Sequence, residues 1–206
     1  MPDNASRRSP SANLPPIFAG EQEYSEFWNR PDTLFIVVFL VALLLRIGQF
    51  YLLRAADPSF DHLLDGVDAK TYDDLARTIL GGDWLLRSIP VHFMGPLYAY
   101  FLAVIYGVFG HHFEAVHAAQ FLLGAASAGI LFLAARSWFS NRVAFLAGLF
   151  PALSATLLVY EGYLLPESLI FFLVTLFLLF TGLARRLFYL KNNIIYHLDA
   201  LFANSI

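Results

Sequence analysis

The sequence predicts an all-α integral membrane protein with about four transmembrane helices and interfacial helices in a large first outer loop. Three observations carry that reading. Of 206 residues, 58% are hydrophobic and 14% charged, against about 45–50% and about 25% in soluble domains. The excess is gathered into apolar runs of membrane-spanning length rather than spread along the chain. Basic residues cluster beside those runs in a pattern that orients them.

Residues 1–32 are polar and rich in Pro and Ser, and read as a cytoplasmic polar tail. The run Leu34–Leu53 is long enough to cross roughly 30 Å of hydrocarbon as a helix. It lies too far from the terminus, and is too long, for a cleaved signal peptide. Further apolar runs are Leu97–Gly110, Ala115–Ala135, Val143–Tyr160 and Leu169–Leu183. The first of these has only 14 residues, with Pro96 to open a helix and Gly110 to close it. Such a length suits an interfacial segment. Charge points the same way. If Leu97–Gly110 does not cross, then Arg7, Arg8 and Arg30, the pair Arg136 and Arg142, and Arg185, Arg186 and Lys191 all share one side. That side is cytoplasmic by the positive-inside rule, with the N-terminus. A large outer loop then runs from Arg54 to Glu114, and a short one spans Glu161–Ser168. Residues 184–206 read as a short tail, amphipathic at best.

The chain has no cysteine, which removes disulfide scaffolds and Cys-ligated metals. A net charge of −3 and a pI near 6.0 give no reason to expect nucleic acid. No Walker, Rossmann, HExxH or nucleophile-elbow pattern occurs.

Within residues 65–84, Ala69, Tyr72, Leu75, Ala76, Ile79 and Leu80 recur at helical spacing and Gly81-Gly82 ends the run. This predicts a short amphipathic helix at the outer surface. Asp68 stands at its start, where a carboxylate can cap free N–H groups. Asp73 and Asp74 read as solvated charges. Glu161 and Glu167 flank Pro166 at the second outer turn. An acid at that depth is costly unless paired or facing a polar cavity. As a cap, Glu167 favours the positive end of a helix. As a functional group it shares a cavity with Asp68. Arg46, deep in the first span, either snorkels to the interface or meets an anionic headgroup. His92, His111 and His112 read as interfacial, and Tyr98, Tyr100 and Tyr106 suit the headgroup region.

In order, the chain presents Asp68-x-x-x-Tyr72, Gly82-Asp83-Trp84, Phe93-Met-Gly-Pro-Leu-Tyr98, Phe109-Gly110, a span ending AARSWF, and LLPES. This set resembles the N-terminal part of the membrane-embedded C-type glycosyltransferases, nearest to protein O-mannosyltransferases and the lipid A aminoarabinose transferase. The resemblance covers residues 33–183. It implies a transferase in the inner or plasma membrane that takes its sugar from a polyprenyl-phosphate donor at the outer face. The sugar and the acceptor stay open. It further implies Asp68 as the catalytic acid–base residue, with Glu167 as a second acid shaping the cavity or holding a divalent metal. A lysine that contacts the donor phosphate in some members is replaced here by Met94-Gly95, so Arg46 or Arg87 would take that role. Tyr72, His92 and Tyr98 would line the substrate shelf. Complete members carry more spans, so the chain reads as an incomplete member. The rival reading is a non-catalytic membrane scaffold or assembly subunit whose acids only cap helices.

Overall fold

A computed structural model describes residues 26–57, 60, 63, 67–89 and 94–203, with side chains omitted at 190 and 192–203. The described residues form helices α1 (Pro31–Ala56), α2 (Asp68–Leu80), α3 (Leu97–Phe109), α4 (Phe113–Ala135), α5 (Asn141–Leu153), α6 (Ala155–Glu161) and α7 (Glu167–Ala203). There is no strand among them, so the all-α membrane class holds.

Three helices are long and apolar enough to cross alone: α1, α4 and the first part of α7 to Tyr189. The pair α5 and α6, bent by 51°, is apolar and long enough to make a fourth when taken together as one broken span. The bend has a covalent cause. Pro151, inside α5, removes one helix donor and crowds the preceding turn. Ser154 then leaves the helical region at φ −72°, ψ 108°, and its hydroxyl accepts the Leu157 N–H to restart the helix as α6. The 13 residues of α3 rise only about 20 Å, too short for the hydrocarbon. Helix α7 continues unbroken to Ala203, so the segment read from sequence as a separate tail from residue 184 is helical through that point.

Helix α4 is the centre of the bundle and packs on α1, α5 and α7. It can do so because it is built from small residues. Ala125 and Ala128 meet Val38 and Ala42 of α1 and Ala152 of α5. At Gly148 on α5 an added Cβ would press on the Ala128 carbonyl and on Val38. Close backbone approach of this kind drives helix association where lipid supplies no hydrophobic drive.

One polar contact crosses this apolar bundle. Arg46 Nε donates to Glu161 Oε2 at 2.7 Å and Nη2 donates to Oε1 at 2.7 Å. Its Nη1 also donates to the Ala42 carbonyl at 3.2 Å. Both residues are buried. Arg46 therefore does not snorkel: a carboxylate from α6 meets it inside the bundle. Gly124 makes the room, since a Cβ there would fall on the Glu161 oxygens and on Arg46 Nε.

At one end of the bundle, α2 lies on α3. Tyr72, Leu75, Ala76 and Ile79 pack against Tyr98, Ala99, Leu102, Ala103 and Tyr106, joined by Val116 and Leu164. Leu80, expected on that stripe, is exposed instead. Asp73 corrects the sequence reading more sharply, being 2% exposed. Its Oδ1 accepts the Tyr106 hydroxyl at 2.8 Å and lies 2.7 Å from His111 Nε2. Burial, then the Asp73 bond, pushes the Tyr106 phenol well up, so it stays a donor. Asp74 is exposed as expected and pairs with Lys70 at 2.7 Å. The same end carries the Arg54–Glu114 pair between α1 and α4, 3.0 Å apart.

The opposite end is basic. Arg186 donates to the Arg136 carbonyl, Asn141 to the Trp28 carbonyl, and Arg142 sits 5.7 Å over the Trp28 ring. Among the described residues, Arg30 before α1, Arg136 and Arg142 after α4, and Arg185 and Arg186 in α7 thus gather on one side, as the four-crossing reading requires.

Two outcomes follow for stability. Arg46→Met or Glu161→Gln leaves a buried group without its partner and should cost about 3–5 kcal/mol. The double variant Arg46→Met/Glu161→Leu should recover most of that loss in the thermal unfolding midpoint. Equal or greater loss in the double variant would show that the pair is not coupled. Asp73→Ala should cost about 1.5–3 kcal/mol through its hydrogen bonds. Asp74→Ala, on the exposed pair beside it, should cost under about 0.5 kcal/mol. Indistinguishable midpoints for the two aspartate variants would contradict the buried latch.

Candidate functional site

A cavity of about 460 Å³ opens where the start of α2, the first turns of α4 and the turn after α6 come together. Its walls are Leu63, Val67, Asp68, Ala69, His117 and Gly162, Tyr163, Leu164 and Leu165. Most of that lining is apolar, with Asp68, His117 and Tyr163 its ionisable members.

The chain brings Asp68 there by opening α2 one residue earlier than a cap would require. Val67 occupies the N-cap position at φ −100°, ψ 154°, and has no side chain that could cap. Asp68 is the first helical residue and is exposed. It is thus not the N-cap, although its charge still favours the positive helix end.

The opposite wall is held from below. Gln120, fully buried on α4, donates through Nε2 to the Glu161 carbonyl at 2.9 Å and to the Tyr163 carbonyl at 2.7 Å. Its Oε1 accepts the Tyr98 hydroxyl. With Glu161 clamped by Arg46, the turn Gly162–Leu165 is fixed at both its backbone and its leading side chain. Gln120 and His117 were not singled out from sequence. Their signal was present, as two polar side chains three residues apart in an otherwise apolar span. His117 is buried and stacks on Phe60 with ring centroids 4.5 Å apart.

Glu167 opens α7 half-buried, with Oε2 enclosed and without a hydrogen-bond partner among the described residues. It does not line the cavity among the described residues. Tyr72 nevertheless links it to Asp68. Burial raises the Tyr72 phenol, and the charges of both Asp68 and Glu167 raise it further. The two acids thus stand within electrostatic reach of one tyrosine.

The shelf residues need correction. Tyr72 and Tyr98 are buried and meet edge to face at 5.0 Å. The Tyr98 hydroxyl turns inward to Gln120, that of Tyr106 to Asp73, and that of Tyr100 to the Trp84 carbonyl. These hydroxyls are spent on the protein rather than on headgroups. They form the wall behind the site. His92 lies outside the described residues.

Of the two arginines considered for a donor phosphate, Arg46 is committed to Glu161 and Ala42 in a buried position. Its charge is already balanced, so that role does not fit it. Arg87 is exposed on the loop between α2 and α3. Asp83 shapes that loop: it accepts the N–H of Arg87 at 2.9 Å, and the N–H and hydroxyl of Ser88 at 2.7 Å. These bonds, with those from Ser88 the strongest, hold the Asp83 carboxyl down at about 2. Leu86 follows in the left-handed region at φ 52°.

Among the described residues, no group of three or more His, Asp or Glu side chains is placed to hold a metal ion.

A family model described as dolichyl-phosphate-mannose-protein mannosyltransferase matches residues 94–197, just over half the chain. The match includes α3 to α6 and most of α7, with Tyr98, Gln120, Glu161 and Glu167. Asp68, Tyr72, Arg46 and Arg87 precede it. No curated protein and no solved structure gives a match. Apolar helices of spanning length and this match agree. The chain belongs to the dolichyl-phosphate-mannose-protein mannosyltransferase family, a family of membrane glycosyltransferases.

Proposed function

We propose that the chain transfers a sugar from a polyprenyl-phosphate donor to an acceptor hydroxyl in the Asp68 cavity, at the outer face of the inner or plasma membrane. The observation that carries this is the position of Asp68. It is an exposed carboxylate on the wall of a mostly apolar cavity, at the end of the bundle remote from Arg136, Arg142, Arg185 and Arg186. Family membership supports the donor class, and the positive-inside rule supports a cytoplasmic N-terminus.

The chemistry needs few parts. Asp68 takes the proton of the acceptor hydroxyl as its oxygen bonds to the anomeric carbon of the sugar. The bond from that carbon to the phosphate oxygen breaks, and its electron pair leaves with the lipid phosphate. A general base of this kind typically contributes about 10²–10⁴ in rate. Arg87, exposed on the adjoining loop, is the cation we assign to the departing phosphate. Tyr72 stands behind the wall within electrostatic reach of both Asp68 and Glu167, so the second acid bears on the site through that shared neighbour rather than on the sugar. A location at the membrane surface lets the lipid chain remain in the bilayer while the sugar meets water.

Replacing Asp68 by Asn keeps size and polarity but removes the proton acceptor. With polyprenyl-phosphate mannose as donor, the full chain should transfer sugar, and Asp68→Asn should lower the rate by about 10²–10⁴ without altering membrane insertion. Asp74→Asn, exposed on the same helix, should keep the wild-type rate. Full activity in Asp68→Asn, or no transfer by the unaltered chain, would overturn the proposal.

A further inference from the structure

The basic end of the bundle holds a second cavity, separate from the sugar-transfer site by the length of α4. From Gln120 to Arg136 is about 24 Å along that helix. The cavity measures about 380 Å³ and is lined by Ser137, Arg185, Arg186 and Tyr189.

Its cations are held in place without being neutralised. Arg185 Nη1 donates to the Ser137 carbonyl at 3.3 Å, and Arg186 Nη2 to the Arg136 carbonyl at 2.7 Å. Both acceptors are uncharged carbonyls of the turn between α4 and α5. Each guanidinium has five N–H donors in a planar fork, so most remain to be used. Among the described residues, none of Arg136, Arg185 and Arg186 has a carboxylate within ion-pair distance. The floor is preformed. A Cβ at Gly182 would strike the Ser137 side chain and Trp138, so α7 and the turn already touch.

We propose that this cavity binds the phosphate of an anionic phospholipid in the leaflet at the basic end. Two guanidinium forks meet a phosphate in matched geometry, which a point charge does not. The flank of the cavity says why the phosphate belongs to a lipid. Leu183 and Phe180, three and six residues before Arg186 on one ridge of α7, are 43% and 63% exposed and lead from the arginines into the membrane-spanning part of that helix. They offer an acyl chain an apolar track. Basic pockets between membrane helices recognise anionic headgroups on these terms, and Trp138 and Tyr189 supply interfacial aromatic anchors.

The test uses the full chain in neutral detergent, titrated separately with phosphatidylglycerol, phosphatidylcholine and inorganic phosphate. Thermal unfolding midpoints and native mass spectra of bound lipid are the readouts. Phosphatidylglycerol should raise the midpoint saturably and remain bound, while phosphatidylcholine and inorganic phosphate do neither. R185Q/R186Q should weaken the phosphatidylglycerol response at least tenfold, and R77Q, on exposed α2 at the other end, should leave it unchanged. Should the double variant not fold, R185Q alone, at an exposed position, should still reduce retained phosphatidylglycerol several-fold. An equal response to phosphatidylcholine, an equal shift with inorganic phosphate, or unchanged lipid retention in the arginine variants would overturn the proposal.

Discussion

A charge pair buried inside a membrane bundle is the constraint on which the rest of this structure depends. Arg46 and Glu161 lie 115 positions apart in sequence and meet through two bonds of 2.7 Å. Neither could stay ionised in hydrocarbon without the other. The pair fixes the register of α1 against α6, and Gly124 on α4 admits it because any side chain there would occupy the same space. Glu161 is also the last residue of α6. Clamping it sets where the chain leaves the membrane, and Gln120 then holds the two carbonyls that follow. The turn that walls the cavity is positioned by groups beneath it.

The other wall is built separately, from the surface downward. Helices α2 and α3 are too short to cross and join by an apolar seam. Asp73 completes that seam with Tyr106 and His111. Asp68, one turn before it, is left at the exposed start of α2. Two aspartates on one helix therefore do opposite things. The buried one ties the interfacial pair together, and the exposed one faces the cavity that this pair helps to close.

Much of the fold was legible in the sequence because hydrocarbon thickness selects for run length, and 14 residues at Leu97–Gly110 fall short of it. The bend in the fourth crossing was less legible, since Pro151 sits inside an apolar run that satisfies a length criterion without a break. Asp73 was missed for a definite reason. It lies on the edge of the stripe formed by Tyr72 and Ala76, but its charge argued for solvent, and the partners that reverse this are 33 and 38 residues away. Arg46 was misplaced in the same manner. Snorkelling is a property of a single helix, whereas its carboxylate arrives from a distant one. The inward turn of Tyr98 and Tyr106 likewise depends on Gln120 and Asp73, which local pattern does not pair with them.

Sugar transfer in the Asp68 cavity requires that this cavity and the arginine cluster open on opposite sides of the membrane, with α3 not crossing. The chain has no cysteine, so single introduced cysteines report this without background. Cysteine at Asp74, exposed on α2, and at Ser140, exposed between α4 and α5, would be probed in intact cells with an impermeant thiol reagent. The account predicts labelling at position 74, and labelling at position 140 only after the membrane is opened. Labelling of both positions in intact cells, or of position 140 alone, would contradict it.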